Sequence, residues 1–252
     1  MTPYVLLADN ALADAVPGSV VALDDDQHHH LVRVRRHRDG TEVTASDGTG
    51  REVAAVRDGH SLVVRSVTDR PARGPVLEVW QALGKQRKHD EVVRMLTEAG
   101  VDAVTAVTTR RTQVDLSGKA ERVRERWRSV ADAACTQSRR SHRPRVEGPV
   151  ELAELVADLA SSAPTSTDAG TCVLVADPSS ERSPLDALPA DLPERIVLVV
   201  GPEGGLAEDE VADLVAVGAT GVTLGPTVLR TEHAGLVLAG VVAAGTGRMS
   251  AR

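Results

Sequence analysis

The chain has 252 residues, 42% hydrophobic and 26% charged, the balance of a globular protein with one large domain or two small ones. Aromatic residues make up 1%, which disfavours a nucleic-acid binding face built from stacked rings. The two cysteines form no disulfide or metal pattern, no apolar stretch is long enough to cross a bilayer, and the N-terminus lacks a secretion signal. We therefore expect a cytoplasmic protein without membrane contact or bound metal.

The net charge of −7 is distributed unevenly along the chain. Residues 85–145 carry 15 basic and 8 acidic side chains, whereas residues 146–252 carry 5 basic and 16 acidic ones. A basic block between acidic segments indicates either contact with a polyanion such as nucleic acid or a solvated, arginine-rich helix face. Charge by itself does not decide between the two.

The N-terminal part of the sequence predicts short strands separated by tight turns. Turn dipeptides such as Asp39-Gly40 and Asp47-Gly48 bound β-forming stretches at 16–23, 41–50 and 61–67. This spacing favours a small β-barrel, with the basic segment 27–40 as a short helix or strand inside it. The two prolines and the glycine in residues 69–75 indicate a boundary, so we expect one domain at 1–72 and a second at 73–252.

The second domain alternates strands and helices. Strands are predicted at 76–83, 101–107, 171–177, 195–200 and 220–225, and helices at 88–99, 119–140, 150–160, 207–217 and 232–245. Continuous apolar strands such as residues 196–200 are typical of a parallel sheet covered on both faces. The fold class is therefore α/β.

Three adjacent histidines, His28, His29 and His30, raise the question of a metal site. Neighbouring side chains in a strand point in opposite directions and cannot easily chelate one ion. We interpret them as a polar edge or an RNA contact.

The sharpest local motif is the glycine-rich segment 201–205, which joins a buried strand to a helix that begins with acidic residues. Ligands bind at the carboxyl ends of strands in open parallel sheets, and glycines there let backbone groups approach a ligand. The acids at 208–210 suit a helix N-terminus but would repel a phosphate, and the motif matches neither a dinucleotide nor a P-loop pattern. A simple tight turn is the alternative interpretation.

A second candidate segment follows the next predicted strand. After Gly225 a short loop leads to Thr231, a possible helix N-cap. Arg230 and Glu232 flank Thr231 as isolated charges in a neutral stretch, either as an ion pair that fixes the loop or as part of a site. Their position beside a glycine turn at the sheet edge favours a site.

The two segments together resemble the SPOUT superfamily of methyltransferases, and more closely the RsmE family, which methylates N3 of a uridine in 16S ribosomal RNA. The resemblance extends over nearly the whole chain: residues 29–50 are similar to the family's PUA-like barrel, residues 84–111 to its lysine-led helix and strand, and residues 126–144 to its Arg-Trp helix. Three departures occur, at Leu206 where the family has an aromatic residue, at His233 where it has threonine, and at Gln86-Arg87 after the leading lysine.

The resemblance implies a SPOUT domain tied in a trefoil knot that binds S-adenosyl-L-methionine (SAM), and a homodimer that acts on 16S rRNA of the small ribosomal subunit. It implies that two loops hold SAM through Val200, Gly201, Glu203, Gly204, Gly205, Leu224, Gly225, Val228, Leu229 and Arg230. We expect the RNA to be gripped by Arg33, Arg35, Arg36, Lys85, Arg110, Arg111, Arg139 and Arg140.

Methylation at N3 of uracil requires loss of a proton and a flipped-out base. We expect Arg230 to stabilise negative charge on a uracil carbonyl or to orient the base, with Glu232 orienting Arg230. His233 would act as a base only if its ring points inward. The alternatives are a non-catalytic RNA-binding protein with a degenerate SAM pocket, a SPOUT methyltransferase with another RNA target, and an α/β enzyme whose Arg230 binds the carboxylate of a small metabolite.

Overall fold

A computed structural model describes residues 2–29, 31–32, 37–84, 88–114, 116, 118–161 and 170–249. The chain divides into two compact units. The first comprises Met1–Ala72 with Asp132–Arg143, and the second comprises Arg73–Ala131 with Pro144–Arg252.

The first unit is a curled five-stranded sheet over an aliphatic core, as predicted for a small barrel. Its strands have the order β1-β3-β4-β5-β2, with β1 and β3 parallel and the other pairs antiparallel. Strands β2, β3 and β5 were expected, whereas the charged residues in β4 concealed its alternating buried pattern. The strands are β1 (Tyr4–Leu6), β2 (Val20–Ala22), β3 (Glu42–Ser46), β4 (Arg51–Asp58) and β5 (Ser61–Asp69).

Two of the three adjacent histidines lie in a short helix, α1 (Asp25–His29), rather than in a strand. The ring of His28 stacks on His60 with centroids 3.5 Å apart, and its Nε2 lies 3.3 Å from Arg57 Nη2. His30 lies outside the described residues. The observed contacts of His28 are therefore those of a polar cluster on the first unit.

The segment Asp132–Arg143 is held in the first unit by polar contacts. The Arg143 guanidinium donates to Asp132 Oδ1 at 2.7 Å and to the Leu7 carbonyl at 3.0 Å. His142 Nε2 lies 2.6 Å from the Arg70 carbonyl oxygen, and His142 also forms a β-bridge with Thr49. These contacts fix the end of the long helix α3 (Ala120–Ser138) and the two arginines that follow it.

The second unit is the predicted α/β domain, with a six-stranded sheet of order β11-β9-β10-β6-β7-β8 in which every pair is parallel. Its strands are β6 (Val76–Ala82), β7 (Ala103–Thr108), β8 (Arg145–Glu151), β9 (Thr171–Ala176), β10 (Arg195–Val200) and β11 (Thr220–Val222). The remaining helices are α2 (His89–Glu98), α4 (Leu152–Ser161), α5 (Pro184–Ala187), α6 (Glu208–Ala216) and α7 (Thr231–Gly245).

Alternate residues of the central strand face two separate cores. Ile196 and Leu198 pack in the cluster that contains α2, α3 and α7, whereas Val197 and Val199 pack in the cluster that contains α4 and α6. A strand buried on both faces must be apolar throughout, which is why β10 was visible in the sequence. In the described part of the chain, none of the helices combines the length and the apolar character that a membrane span requires.

Two local predictions for the second unit were wrong. Strand β8 was not anticipated because Gly148 and Pro149 interrupt its pattern, but β8 lies at the edge of the sheet, where proline is tolerated. Thr231 is the first residue of α7 rather than its N-cap. Arg230 occupies the cap position, with extended backbone and no side-chain capping hydrogen bond.

Candidate active site

The carboxyl ends of the parallel strands meet at one edge of the sheet, called here the carboxyl edge. Three neighbouring strands, β11, β9 and β10, end at a cavity of about 800 Å³. Its walls come from the end of β9 and the turn after it, from the loops after β10 and β11, from parts of α6 and from the start of α7, together with Lys88. Its size lies within the range of roughly 300–1,000 Å³ that small-molecule sites occupy.

The loop after β10 is shaped by its glycines. Gly205 has φ +72°, a left-handed conformation, and its N–H donates to the Pro202 carbonyl at 2.8 Å. A Cβ at Gly201 would lie 3.2 Å from Leu206 Cγ, so the chain folds tightly back on itself here. Glu210 Oε2 accepts a hydrogen bond from Ala207 N at 2.8 Å and fixes the start of α6. Leu206 therefore fills a close-packed position despite its departure from the family's aromatic residue.

The loop after β11 forms the opposite wall. Gly225 has φ +116°, which permits the sharp departure from the sheet. Val228 is 83% exposed at the mouth, while Leu224 and Leu229 are half-buried. Of the ten predicted SAM-binding residues, Gly204 lies in the wall of a second cavity, and the other nine line the first: Val200, Gly201, Glu203, Gly205, Leu224, Gly225, Val228, Leu229 and Arg230.

A cluster of three charged residues stands where α7 begins. The Nζ of Lys88 donates to Glu232 Oε1 at 2.6 Å, and the Glu232 residue is 8% exposed. The Lys88 hydrogen bond holds the pKa of the Glu232 carboxyl below its ordinary value. Arg230 Nη1 lies 4.0 Å from the same oxygen, and the Arg230 side chain is 75% exposed. Glu232 therefore makes its short contact with Lys88, while Arg230 remains extended toward solvent.

Sequence reasoning missed Lys88 and the loop that follows β9. Asp177 Oδ1 accepts from the Ser179 N–H at 2.8 Å, and the Asp177 N–H donates to the Val222 carbonyl at 2.9 Å. This turn closes one side of the cavity. An aspartate directly after an apolar parallel strand was the available signal for the loop, whereas Lys88 stood among several basic residues with nothing to distinguish it.

The remaining predicted residues lie in different places. Arg110 and Arg111 follow β7 in the second unit, and Arg139 and Arg140 follow α3 in the first. The side chain of His233 is exposed, and His233 is not among the residues that line the first cavity. The predicted RNA contacts that lie outside the described residues are Arg33, Arg35, Arg36 and Lys85.

The second cavity, of about 440 Å³, also lies at the carboxyl edge. It is lined by Leu83 after β6, residues 110–113 after β7, and Glu203 and Gly204 after β10. Arg111 Nη1 donates to the Gly204 carbonyl at 2.7 Å, and the Arg110 N–H donates to Glu210 Oε1 at 2.9 Å. The loop after β10 thus separates two cavities along one sheet edge.

A parallel α/β unit with a ligand cavity at its carboxyl edge, in a chain that also carries a small β unit, agrees with what family comparison finds. A model described as an RNA methyltransferase domain matches residues 72–243, and one described as an RNA methyltransferase PUA domain matches residues 23–56. The chain is therefore of the RNA methyltransferase class.

Individual relatives narrow this class. A protein of Mycobacterium tuberculosis is 37% identical over 94% of this chain and 92% of its own length, and one of Bacillus subtilis is 30% identical over 85% and 86%. Both are named ribosomal RNA small subunit methyltransferase E, and the chain belongs to that family.

A solved structure of the Neisseria gonorrhoeae ribosomal RNA small subunit methyltransferase E, bound to SAM, has the same fold. It superposes with a TM-score of 0.81 over 97% of this chain and 98% of its own, at 24% identity. The resemblance drawn from the sequence motifs is thereby confirmed.

Proposed function

We propose that this protein transfers the methyl group of SAM to N3 of a uridine in 16S rRNA of the small ribosomal subunit. One observation carries the proposal: two glycine loops and the Lys88–Glu232 ion pair meet at one cavity on the carboxyl edge. The names of the family's members and the SAM bound in the N. gonorrhoeae protein support the cofactor and the RNA class.

The first cavity suits the chemistry of SAM, which carries positive charge on its sulfonium and its ammonium groups. Its walls combine apolar side chains such as Val175 and Leu214 with acidic ones such as Glu203, Asp177 and Glu208. Carboxylates favour a cationic ligand and disfavour a phosphate. When bound, SAM supplies an electrophilic methyl group, and the loops 200–205 and 224–230 hold it through backbone groups.

The charged cluster would serve the acceptor base. N3 of uracil must lose its proton, which passes to solvent water, and the anion that forms spreads its charge onto the two flanking carbonyl oxygens. Glu232, whose pKa is lowered by Lys88, is a weak base and serves to hold Lys88 in place. We assign Arg230 and Lys88 to stabilise the developing negative charge, with Glu232 as a positioning residue.

The proposal extends to the rest of the chain. Residues 1–72 form the RNA-binding domain and residues 73–252 the catalytic domain of a cytoplasmic homodimer whose catalytic domain contains a trefoil knot. Basic side chains grip RNA phosphates, so affinity falls steeply with salt. These side chains are Arg33, Arg35, Arg36, Lys85, Arg110, Arg111, Arg139 and Arg140.

The decisive test is mass mapping of methylated nucleosides in rRNA from cells that lack the gene. We expect the loss of one 3-methyluridine from 16S rRNA, restored by the wild-type chain. An unchanged 3-methyluridine signal contradicts the assignment of uridine N3 as the methylated atom, and loss of a different methylated nucleoside indicates another RNA target. If the protein does not bind SAM in calorimetry, it is a non-catalytic RNA-binding protein. If it binds a small ligand with an affinity that depends neither on RNA nor on salt concentration, it is an enzyme that acts on a small metabolite.

The role of Arg230 is tested by Arg230→Ala. Methyl transfer to small subunits should fall about a hundredfold, while SAM affinity stays within about twofold, because the lost guanidinium acts on charge that develops only during transfer. Arg94→Ala is the matched control, since Arg94 is an exposed arginine paired with Glu91 on its own helix. Transfer at the wild-type rate in Arg230→Ala refutes the catalytic role.

A further inference from the structure

The second cavity stands beside the first, along three adjacent strands of the sheet. Strands β10, β6 and β7 are neighbours and run parallel, so the loops that follow them meet at the carboxyl edge. Glu203 lines both cavities. A Cβ at Gly84 would lie 3.1 Å from Glu203 Oε1, which places the carboxylate directly over the end of β6. The two cavities therefore share a wall to which the Glu203 side chain contributes.

Methyl transfer requires the acceptor atom to lie about 3–3.5 Å from the methyl group in the reactive geometry. A nucleotide in the second cavity meets this distance requirement if its acceptor atom and the methyl group of SAM approach each other at the wall that the two cavities share. The volume of about 440 Å³ suits a single nucleotide rather than a duplex. An extruded nucleotide is also the form in which enzymes reach a base inside folded RNA.

Several side chains that carry hydrogen-bond donors line this cavity, together with one carboxylate, that of Glu203, in the wall that it shares with the first cavity. Arg110 and Arg111 contribute guanidinium groups, and the exposed Gln113 contributes an amide. Uracil presents carbonyl oxygens on both sides of N3, whereas cytosine presents an amino group on one of them. A donor at the position where cytosine carries its amino group therefore favours uracil, and a guanidinium favours the uracil anion more strongly than its neutral form.

The two arginines are held before any RNA arrives. The Arg111 guanidinium donates to the Gly204 carbonyl at 2.7 Å, and the side chain of Arg110 pairs with Asp209 on the first turn of α6. An arginine has five N–H donors, so one contact to the protein leaves others for a ligand. Arg111 is tied to the loop that also walls the first cavity, and Arg110 is tied to the helix that follows this loop, so the positions of the two ligands depend on the same segment.

We propose that the second cavity is the subsite for the acceptor nucleotide, with Arg111 and Gln113 contacting the uracil carbonyl on one side of N3 and Arg110 meeting the adjacent phosphate. The carbonyl on the other side of N3 is left to Arg230 and Lys88, which line the first cavity, and Arg111 contacts the base instead of a phosphate. This inference rests on the proposed uridine N3 methylation. It adds a site, next to the SAM cavity, that selects the base.

The test uses the full-length protein with small ribosomal subunits purified from cells that lack the gene. Arg111→Gln should lower kcat/KM about a hundredfold and Gln113→Leu about tenfold, with SAM affinity within about twofold of wild type. Gln113→Glu should be more damaging than Gln113→Leu, because a carboxylate repels the uracil anion. Arg94→Gln is the matched control for Arg111→Gln and should have no effect.

The pH dependence separates this role from a merely structural one. The defect of Arg111→Gln should shrink in alkaline buffer, where the N3 proton leaves with less help from a neighbouring cation. Variants with wild-type kcat/KM, or variants that lose SAM affinity in parallel with transfer, overturn the subsite while the wild-type formation of 3-methyluridine stands. A wild-type protein that forms no 3-methyluridine overturns the proposed function and the subsite together.

Discussion

The ion pair between Lys88 and Glu232 is the most informative place to perturb the second unit. Lys88→Met keeps the length of the side chain and removes its charge, which leaves the Glu232 carboxylate nearly buried without its 2.6 Å donor. The loss should appear in the stability of the second unit as well as in catalysis. Arg94→Met, which breaks an exposed pair with both side chains 54% accessible, is the control.

The magnitude follows from the burial of the two partners. A hydrogen bond to a charged group contributes about 1.5–3 kcal/mol, and an exposed ion pair about 0.2–1 kcal/mol. The Lys88 side chain is 32% exposed, so water can replace part of the lost contact. We expect Lys88→Met to reduce the free energy of unfolding by about 1–2 kcal/mol, and Arg94→Met by about 0.3 kcal/mol.

The effect should depend on pH in a defined direction. The pKa of Glu232 is lowered in the folded protein, so its contribution is present above the ordinary carboxyl pKa and is lost as pH falls through the folded value. The difference between wild type and Lys88→Met should therefore be full at pH 7 and should shrink as pH falls below the ordinary carboxyl pKa of about 4.3, because the unfolded chain then binds a proton that the folded carboxylate does not.

The chain's two tryptophans make the assay specific. Trp80 and Trp127 are both buried in the second unit, so urea unfolding followed by tryptophan emission reports that unit. Lys88→Met, Glu232→Gln and the double variant complete a cycle that isolates the pair. A loss no larger than that of Arg94→Met, or a loss that is the same at pH 7 and pH 3.5, refutes the reasoning.

Two further predictions concern the same unit. Burial lowers the pKa of His89 to about 4, so the imidazole stays neutral in the fold and protonation below pH 6.5 favours unfolding. Acidification from pH 7 to pH 5 should cost about 2 kcal/mol, and His89→Phe, which keeps a ring against Trp127, should lack this loss in urea titrations at the two pH values. In α7, Gly235→Ala should destabilise by about 1–3 kcal/mol because its Cβ would lie 2.5 Å from the Oε1 of the fully buried Gln81. Gly240→Ala meets no atom within 4 Å and should stabilise by about 0.5–1 kcal/mol, so equal thermal shifts for the two variants would contradict the packing argument.

The elements of the second unit were predictable where burial leaves a periodic signature. Strand β10 is apolar from Ile196 to Val200 because both of its faces are covered, and its observed bounds agree with the prediction. Strand β8 was not predicted because Gly148 and Pro149 ordinarily interrupt a strand, although a strand at the edge of a sheet tolerates them. The grouping of Asp132–Arg143 with the first unit depends on contacts between distant residues, such as that of His142 with Arg70, 72 positions away, and that of Arg143 with Leu7, 136 positions away. Local sequence patterns do not indicate such contacts.

The residues of the candidate site also fall into those that the sequence predicts and those that it does not. The loops at 201–205 and 224–230 were visible because glycines at a strand end are a local signal, and both line the first cavity. Lys88 and the Arg111–Gly204 contact were invisible for the opposite reason. Each joins segments that lie roughly a hundred or more positions apart, and their meeting depends on strand order.

The order of the strands in the sheet therefore limits how much of the site can be inferred from this sequence. Once β6 is known to lie between β10 and β7, the loops after all three strands must share one edge, and the basic residues after β7 must stand beside the glycine loop after β10. Hydropathy shows that each strand is buried, but it does not show which strands are neighbours. The family resemblance supplied the cofactor loops without that order. Arg110 and Arg111 were expected from the sequence to contact RNA, but their place in a cavity beside the glycine loop could be inferred only after the order was known.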